Sequence, residues 1–302
     1  MTKASPARLS RVWFALVVVY VVWGSTYLAI RWSLETIPPF TMASVRYLVA
    51  GSLLLAWAKS RGAPRIALSD LRPAFVTGGL MLLCGNGGVV WAEQRLTSGL
   101  AALLVAVEPL FIVLLQATLP QERRRPSGRA LVGVALGVAG VILLVGPSDF
   151  GGVRVDLGGA AAVLFAAVAW ALGSLLSRHH APPASPLQAT ALQMLAGGVL
   201  LGGFSAVLGE WSRFSPALVS AKSVASVAYL VVFGSLVAFT AYIWLLRAAS
   251  PTLVSTYAFV NPVVAVFLGW LLASEPVSAR TLAAAAVIVG AVVLITLGES
   301  RE

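Results

Sequence analysis

Glu108 stands deep inside a long apolar run, with Pro109 directly after it, and Asn261-Pro262 places a second polar residue before a proline in the other half of the chain. In a bilayer a buried charge costs about 2.5–3.5 kcal/mol on insertion scales, so such a residue faces a bundle interior or a wet cavity. Two functional roles suit Glu108: a ligand for a substrate amine, and a protonatable coupling group. Its structural reading is a neutral carboxyl, or one bonded to carbonyls that Pro109 frees. Pro109 and Pro262 each remove one intrahelical hydrogen bond, which predicts kinked helices beside a central cavity.

Trp23 and Trp170 also fall in mid-run. They can wall a site for an apolar or aromatic molecule and offer indole N–H donors, or they can simply pack. Arg46 lies several residues inside its run. It can snorkel outward, pair with Glu108, or meet a substrate carboxylate. Asn86, within Gly85-Asn86-Gly87-Gly88, is polar beside close-packing glycines. Tyr20, Tyr242 and Tyr257 complete the candidate lining. Trp91 and Trp244 fall near run ends, where interfacial aromatic residues are ordinary. Gly133/Gly137 and Gly198/Gly202 have the spacing of close helix contacts. His179-His180, adjacent in a loop, lack metal-site spacing.

The elements that hold these residues are membrane helices. Of 302 residues, 59% are apolar and 11% charged, and the mean hydropathy is +0.92. A soluble domain carries about 25% charged residues, so this chain reads as a polytopic membrane protein. A crossing needs about 20 apolar residues. Ten runs qualify: 12–32, 40–58, 73–92, 97–118, 129–146, 157–177, 187–208, 224–246, 252–272 and 280–297. Breakers separate them at Pro38-Pro39, Gly62–Pro64, Glu122–Pro126, Gly146–Gly152, Pro182-Pro183 and Ser250-Pro251, while Glu93-Gln94-Arg95 marks the tightest gap.

The net charge of +10 reflects basic loops rather than a nucleic-acid partner. Through the loop that holds Arg154, eleven Lys and Arg fall on the side of the N-terminus and three, Arg31, Arg95 and Arg154, on the other. That bias places both termini in the cytoplasm. The first run is too long for the apolar region of a signal peptide. Cys84 is the sole cysteine.

The halves repeat. At an offset of 147, Trp23 falls on Trp170, Arg31 on Arg178, Pro39 on Pro186, Leu48 on Leu195 and Gly51 on Gly198. At 153, Trp91 falls on Trp244, Pro109 on Pro262, Glu122 on Glu275 and Gly137 on Gly290. Each half, 1–150 and 151–302, holds five runs, so the second enters the membrane from the opposite side. Inverted repeats of this kind put a substrate site near the midplane at their interface.

With Trp23-Gly24-Ser25, Arg46, Glu108-Pro109 and Asn261-Pro262, and a glutamate before a glycine-bearing helix in each half, the chain resembles an EamA-type member of the drug/metabolite transporter superfamily. The likeness runs from Val12 to Leu297. The second copy, from Asn261 to Pro276, fits better; the first puts Glu122-Arg123-Arg124-Arg125 where Glu-Pro is expected. The resemblance implies a ten-helix fold, alternating access, and export of small metabolites, with aromatic or neutral amino acids preferred. Exporters of organic cations and carriers of nucleotide sugars or sugar phosphates are the alternatives in the same superfamily.

No phosphate-binding GxxxxGK[ST], HExxH or GxSxG stretch occurs, nor does a selectivity ring. An intramembrane enzyme or a channel is therefore disfavoured. The expectation is an all-α secondary exporter of the inner membrane, monomeric, with a small-molecule substrate and the bilayer as its partners. No cofactor, metal or nucleic acid is expected.

Overall fold

A computed structural model describes residues 6–118, 127–145, 155–179, 185–249, 251–254 and 256–299. Among these residues every regular element is helical. Ten helices carry the fold: α1 (Pro6–Ser33), α2 (Pro39–Ser60), α3 (Leu68–Ala92), α4 (Ser98–Thr118), α5 (Gly128–Val145), α6 (Leu157–His179), α7 (Pro186–Val207), α8 (Ala221–Ala248), α9 (Tyr257–Ala273) and α10 (Ala279–Glu299). Seven have apolar stretches long enough to cross a bilayer, and α5, α9 and α10 contribute the shorter stretches Gly128–Leu144, Val260–Ala273 and Ala279–Leu294. The protein is an all-α integral membrane protein. Phe14, Val21, Phe165, Val263 and Phe267 turn outward and are exposed, as a lipid-facing surface requires.

Local chemistry explains the boundaries. Pro39 and Pro186 open α2 and α7 at the first helical position, where a missing N–H costs nothing. The Ser185 hydroxyl accepts from the Gln188 N–H at 3.3 Å. At the end of α9, Ser274 takes a left-handed conformation (φ 52°), and the Glu275 N–H returns to the Gly269 carbonyl at 3.0 Å. That closure satisfies a carbonyl the helix leaves open.

Some expectations change. The run 252–272 divides into a short helix, Pro251–Val254, and α9. The two proline kinks differ. α4 is interrupted at Ala106-Val107 and resumes at Glu108, because Pro109 sits in a first turn, where proline is tolerated. α9 runs unbroken through Pro262. The breakers Glu122–Pro126, Gly146–Gly152, Pro182-Pro183 and Ser250, and His180 with them, lie outside the described residues.

α2 lies along α7 and α5 along α10, each helix against its repeat equivalent. The first pairing is reciprocal: a Cβ added at Gly51 would lie 2.9 Å from Leu195 Cγ, and one at Gly198 would lie 2.9 Å from Leu48 Cγ. Residue and partner exchange roles, as across a two-fold axis. Both middle helices also widen into π-helix, Gly79–Asn86 in α3 and Leu230–Phe239 in α8.

On the face opposite the N-terminus, two buried acids of the second half cap helices of the first. Glu210 accepts from the Thr41 N–H (2.8 Å) and the Phe40 N–H (3.3 Å) at the start of α2. Glu275 accepts from the Ser98 N–H (3.0 Å), the Ser98 hydroxyl (2.9 Å) and the Gly99 N–H (3.2 Å) at the start of α4, with Arg31 Nε at 3.3 Å. Carboxylates at helix N-termini offset unpaired N–H groups and the helix dipole together.

Candidate functional site

The helices converge on a cavity lined by aromatic and apolar side chains with a few polar groups among them, the lining that small-molecule sites have. α1 supplies Trp23, Thr26, Tyr27 and Ile30, one face at helical spacing. α2 adds Arg46 and Tyr47, α3 Asn86, α4 Glu108, α6 Trp170, and α9 Tyr257 and Asn261. Trp23 lies ten residues from the end of α1, about 15 Å at 1.5 Å per residue, and Ile30 lies within one turn of that end. The cavity thus runs from mid-bilayer towards the face opposite the N-terminus.

Its floor is aromatic. The Trp23 ring meets Trp170 edge-on at 5.6 Å, Tyr257 edge-on at 5.4 Å and Tyr242 at 4.8 Å between centroids. Both indoles are anchored, Trp23 Nε1 donating to the Gly234 carbonyl at 3.2 Å and Trp170 Nε1 to the Tyr242 hydroxyl at 3.3 Å. Such contacts leave the rings little freedom, so the floor is preorganised.

Two charged groups complete the wall. Glu108 is 1% exposed; its Oε2 accepts from the Tyr257 hydroxyl, and its Oε1 has no hydrogen-bond partner among the described residues. Arg46 is 3% exposed, donates from Nε to Ser235 Oγ at 2.8 Å, and leaves Nη1 without a partner among the described residues. Its guanidinium lies over the Tyr47 ring at 4.8 Å. Of the readings open to Arg46, snorkelling and pairing with Glu108 are both excluded. The Asn86 Oδ1 atom is a third buried polar atom without a partner.

Trp23, Arg46, Asn86, Glu108, Trp170, Tyr257 and Asn261 therefore share one cavity. Tyr242 stands behind the wall, holding Trp170 and Ser174. Tyr20 lies beyond the floor and bonds Thr256 through its hydroxyl. Asn261, in the amide orientation that satisfies it, donates to the carbonyls of Tyr20 (3.0 Å) and Tyr257 (3.3 Å), tying α1 to α9. Pro109 and Pro262 do not line the cavity; each follows a residue that does. Trp244 is exposed, and Trp91 stacks under Arg95 at 4.5 Å.

Sequence reasoning missed Thr26, Tyr27 and Tyr47, although the steps of three, four and seven residues from Trp23 to Ile30 carry the signal. It also read Glu93 as a turn marker, yet Glu93 is 3% exposed.

Ten helices around a preorganised, partly charged midplane cavity define a membrane transporter. The profile of the EamA-like transporter family matches residues 11–146 and 157–297, and the chain belongs to that family. It is 42% identical to the uncharacterized inner membrane transporter YedA of Escherichia coli (strain K12), over 94% of this chain and 90% of that protein. It is 29% identical to a chloroplastic WAT1-related protein of Arabidopsis thaliana, over 96% of this chain and 70% of that protein. A solved crystal structure, 23% identical, superposes with a TM-score of 0.69 over 97% of this chain and 98% of its own.

Proposed function

We propose that the protein exports amino acids, aromatic or neutral, across the cell inner membrane, with both termini in the cytoplasm and the repeats rocking about the cavity. One observation carries this reading: a single buried cavity holds a guanidinium N–H and a carboxyl oxygen that both lack partners, beside a fixed aromatic floor. A zwitterion satisfies both, its carboxylate on Arg46 and its ammonium on Glu108, and its side chain lies against Trp23 and Trp170. Charge-assisted bonds of this kind are roughly twice as strong as neutral ones.

The charges also weigh against the alternatives. An organic cation would suit Glu108 and the rings but would face the uncompensated Arg46. A sugar phosphate calls for several cations, and Arg46 is the one basic residue among those lining the cavity. With the termini inside, the cavity lies in the outer half of the membrane, and the Tyr20–Thr256 and Asn261 contacts close the inner side.

The test is release from liposomes loaded with labelled neutral, aromatic, basic or acidic amino acids, with and without a pH gradient. Saturable release of neutral or aromatic amino acids, reduced at least tenfold in both Arg46→Gln and Glu108→Gln, supports the reading. Absence of amino-acid flux in every batch overturns it.

A further inference from the structure

Outside the cavity, the most exceptional group is Glu93, the first residue past α3. It is 3% exposed, and neither carboxyl oxygen has a hydrogen-bond partner among the described residues. An ionised carboxylate so placed costs several kcal/mol unless a cation balances it, and protonation removes that cost.

The charges acting on Glu93 are few. Glu275 repels its negative form, while Arg31 and Arg46 attract it. Tyr27 on α1 is the other titratable group coupled to it. Next along the chain, Arg95 is engaged with Asp156 at 3.8 Å and with the Trp91 ring. On α6, Arg178 and His179 hold the last two positions, at the end away from Asp156. Arg31 is already held by Glu275 at 3.3 Å. Arg46 keeps a buried Nη1 that has no partner among the described residues, and Arg46 belongs to the cavity wall.

We propose that Glu93 is a proton-binding site coupled through Arg46 to the cavity, so that an anionic group on Arg46 is bound together with a proton on Glu93. The inference rests on the reading of Arg46 as a carboxylate site. With the cavity empty, the guanidinium charge favours ionised Glu93. A carboxylate on Arg46 cancels that field and leaves Arg31 alone to oppose Glu275 and burial, both of which favour the proton. Burial and Glu275 already hold the Glu93 carboxyl well above the ordinary carboxylate range. Linkage makes the effect reciprocal: protonating Glu93 strengthens anion binding. Substrate and proton then cross in the same direction, so outward movement is driven by accumulated substrate rather than by proton entry.

The probe is 3-phenylpropionate, a carboxylate with an aromatic ring and no amine, titrated into the purified full-length protein by calorimetry. Paired buffers of different ionisation enthalpy count the protons taken up. L-Phenylalanine is titrated in parallel. We expect uptake approaching one proton per ligand in part of a pH series run upward from the ordinary carboxylate range, with affinity rising up to tenfold for each unit the pH falls through that interval. Glu93→Gln is expected to lose the uptake and the pH dependence, while Arg95→Gln keeps both. Binding without proton uptake by the wild type overturns the proposal and leaves the amino-acid reading standing; so does uptake that persists in Glu93→Gln. Failure of both ligands to bind overturns the two together. The wild-type count decides even if Glu93→Gln does not fold.

Discussion

The cap that Glu275 places on α4 can be broken from either side. Glu275→Gln keeps the shape and turns an amide N–H₂ towards donors. Gly269→Ala leaves the acid in place but adds a Cβ 2.9 Å from both Glu275 Cδ and Ser98 Oγ, so the carboxylate has to move. The cap comprises three hydrogen bonds to a carboxylate that is 5% exposed. Breaking a buried charged contact costs about 3–5 kcal/mol when one partner is removed outright. Arg31 is 40% exposed on its side chain, so its share is under about 1 kcal/mol, and glutamine keeps one acceptor oxygen. We expect each single variant to lose about 2–4 kcal/mol, a fall of roughly 5–10 °C in the thermal midpoint of the detergent-solubilised protein. The two losses share one cause, so they will not add. In the Glu275→Gln background, Gly269→Ala should cost almost nothing, and the helix preference of alanine can return up to about 1 kcal/mol. Additive losses in this double-mutant cycle, within about 0.5 kcal/mol, refute the assignment of Gly269 as the room for the carboxylate.

Three further outcomes follow from single contacts. Ser274→Gly relieves a left-handed conformation that costs a non-glycine residue about 1–2 kcal/mol, so its midpoint should rise by a few degrees in the same melt. Glu93 binds its proton more tightly folded than unfolded, so its contribution is complete below the unfolded carboxyl pKa and is lost as pH rises towards the elevated native value. Wild-type stability should fall by up to about 1.4 kcal/mol per pH unit in that interval, and a pH series of melts should show this slope removed in Glu93→Gln. A Cβ at Gly85 would lie 2.9 Å from Trp170 Cε3 and push the ring into the cavity, whereas one at Gly79 reaches only Leu200 Cδ1 at 3.4 Å. Liposome flux should therefore drop severalfold in Gly85→Ala and hold in Gly79→Ala.

What could be read from the residues depended on where the bilayer removes choice. A polar or aromatic residue in mid-helix must face other helices, so Trp23, Arg46, Asn86, Glu108, Trp170, Tyr257 and Asn261 were legible as lining before any coordinates. Tyr20 and Tyr242 obey the same rule, yet one lies beyond the floor and the other behind the wall. Inward facing does not fix depth or layer. Glu93, Glu210 and Glu275 were not legible as buried groups, because a charged residue at a helix end is solvated by default. Their burial comes from how the two halves meet, which no local pattern records.

On the amino-acid reading, the repeat accounts for where the charges stand. Arg46 corresponds to Gln193 at the offset of 147, and Glu108 to Asn261 at 153. The second-half residues are neutral and internally satisfied: Gln193 donates to the Met81 sulfur at 3.1 Å, and Asn261 to two carbonyls. The first-half residues are charged and each keeps one atom free. On the proposed mechanism, the two like halves exchange conformations, as inverted repeats do. A symmetric cavity would present each charge twice, and a small zwitterion has one of each. Confining the charged pair to one half removes that redundancy. Installing the second copy of either charge, by Gln193→Arg or Asn261→Glu, should therefore abolish amino-acid release from liposomes even in variants that still fold.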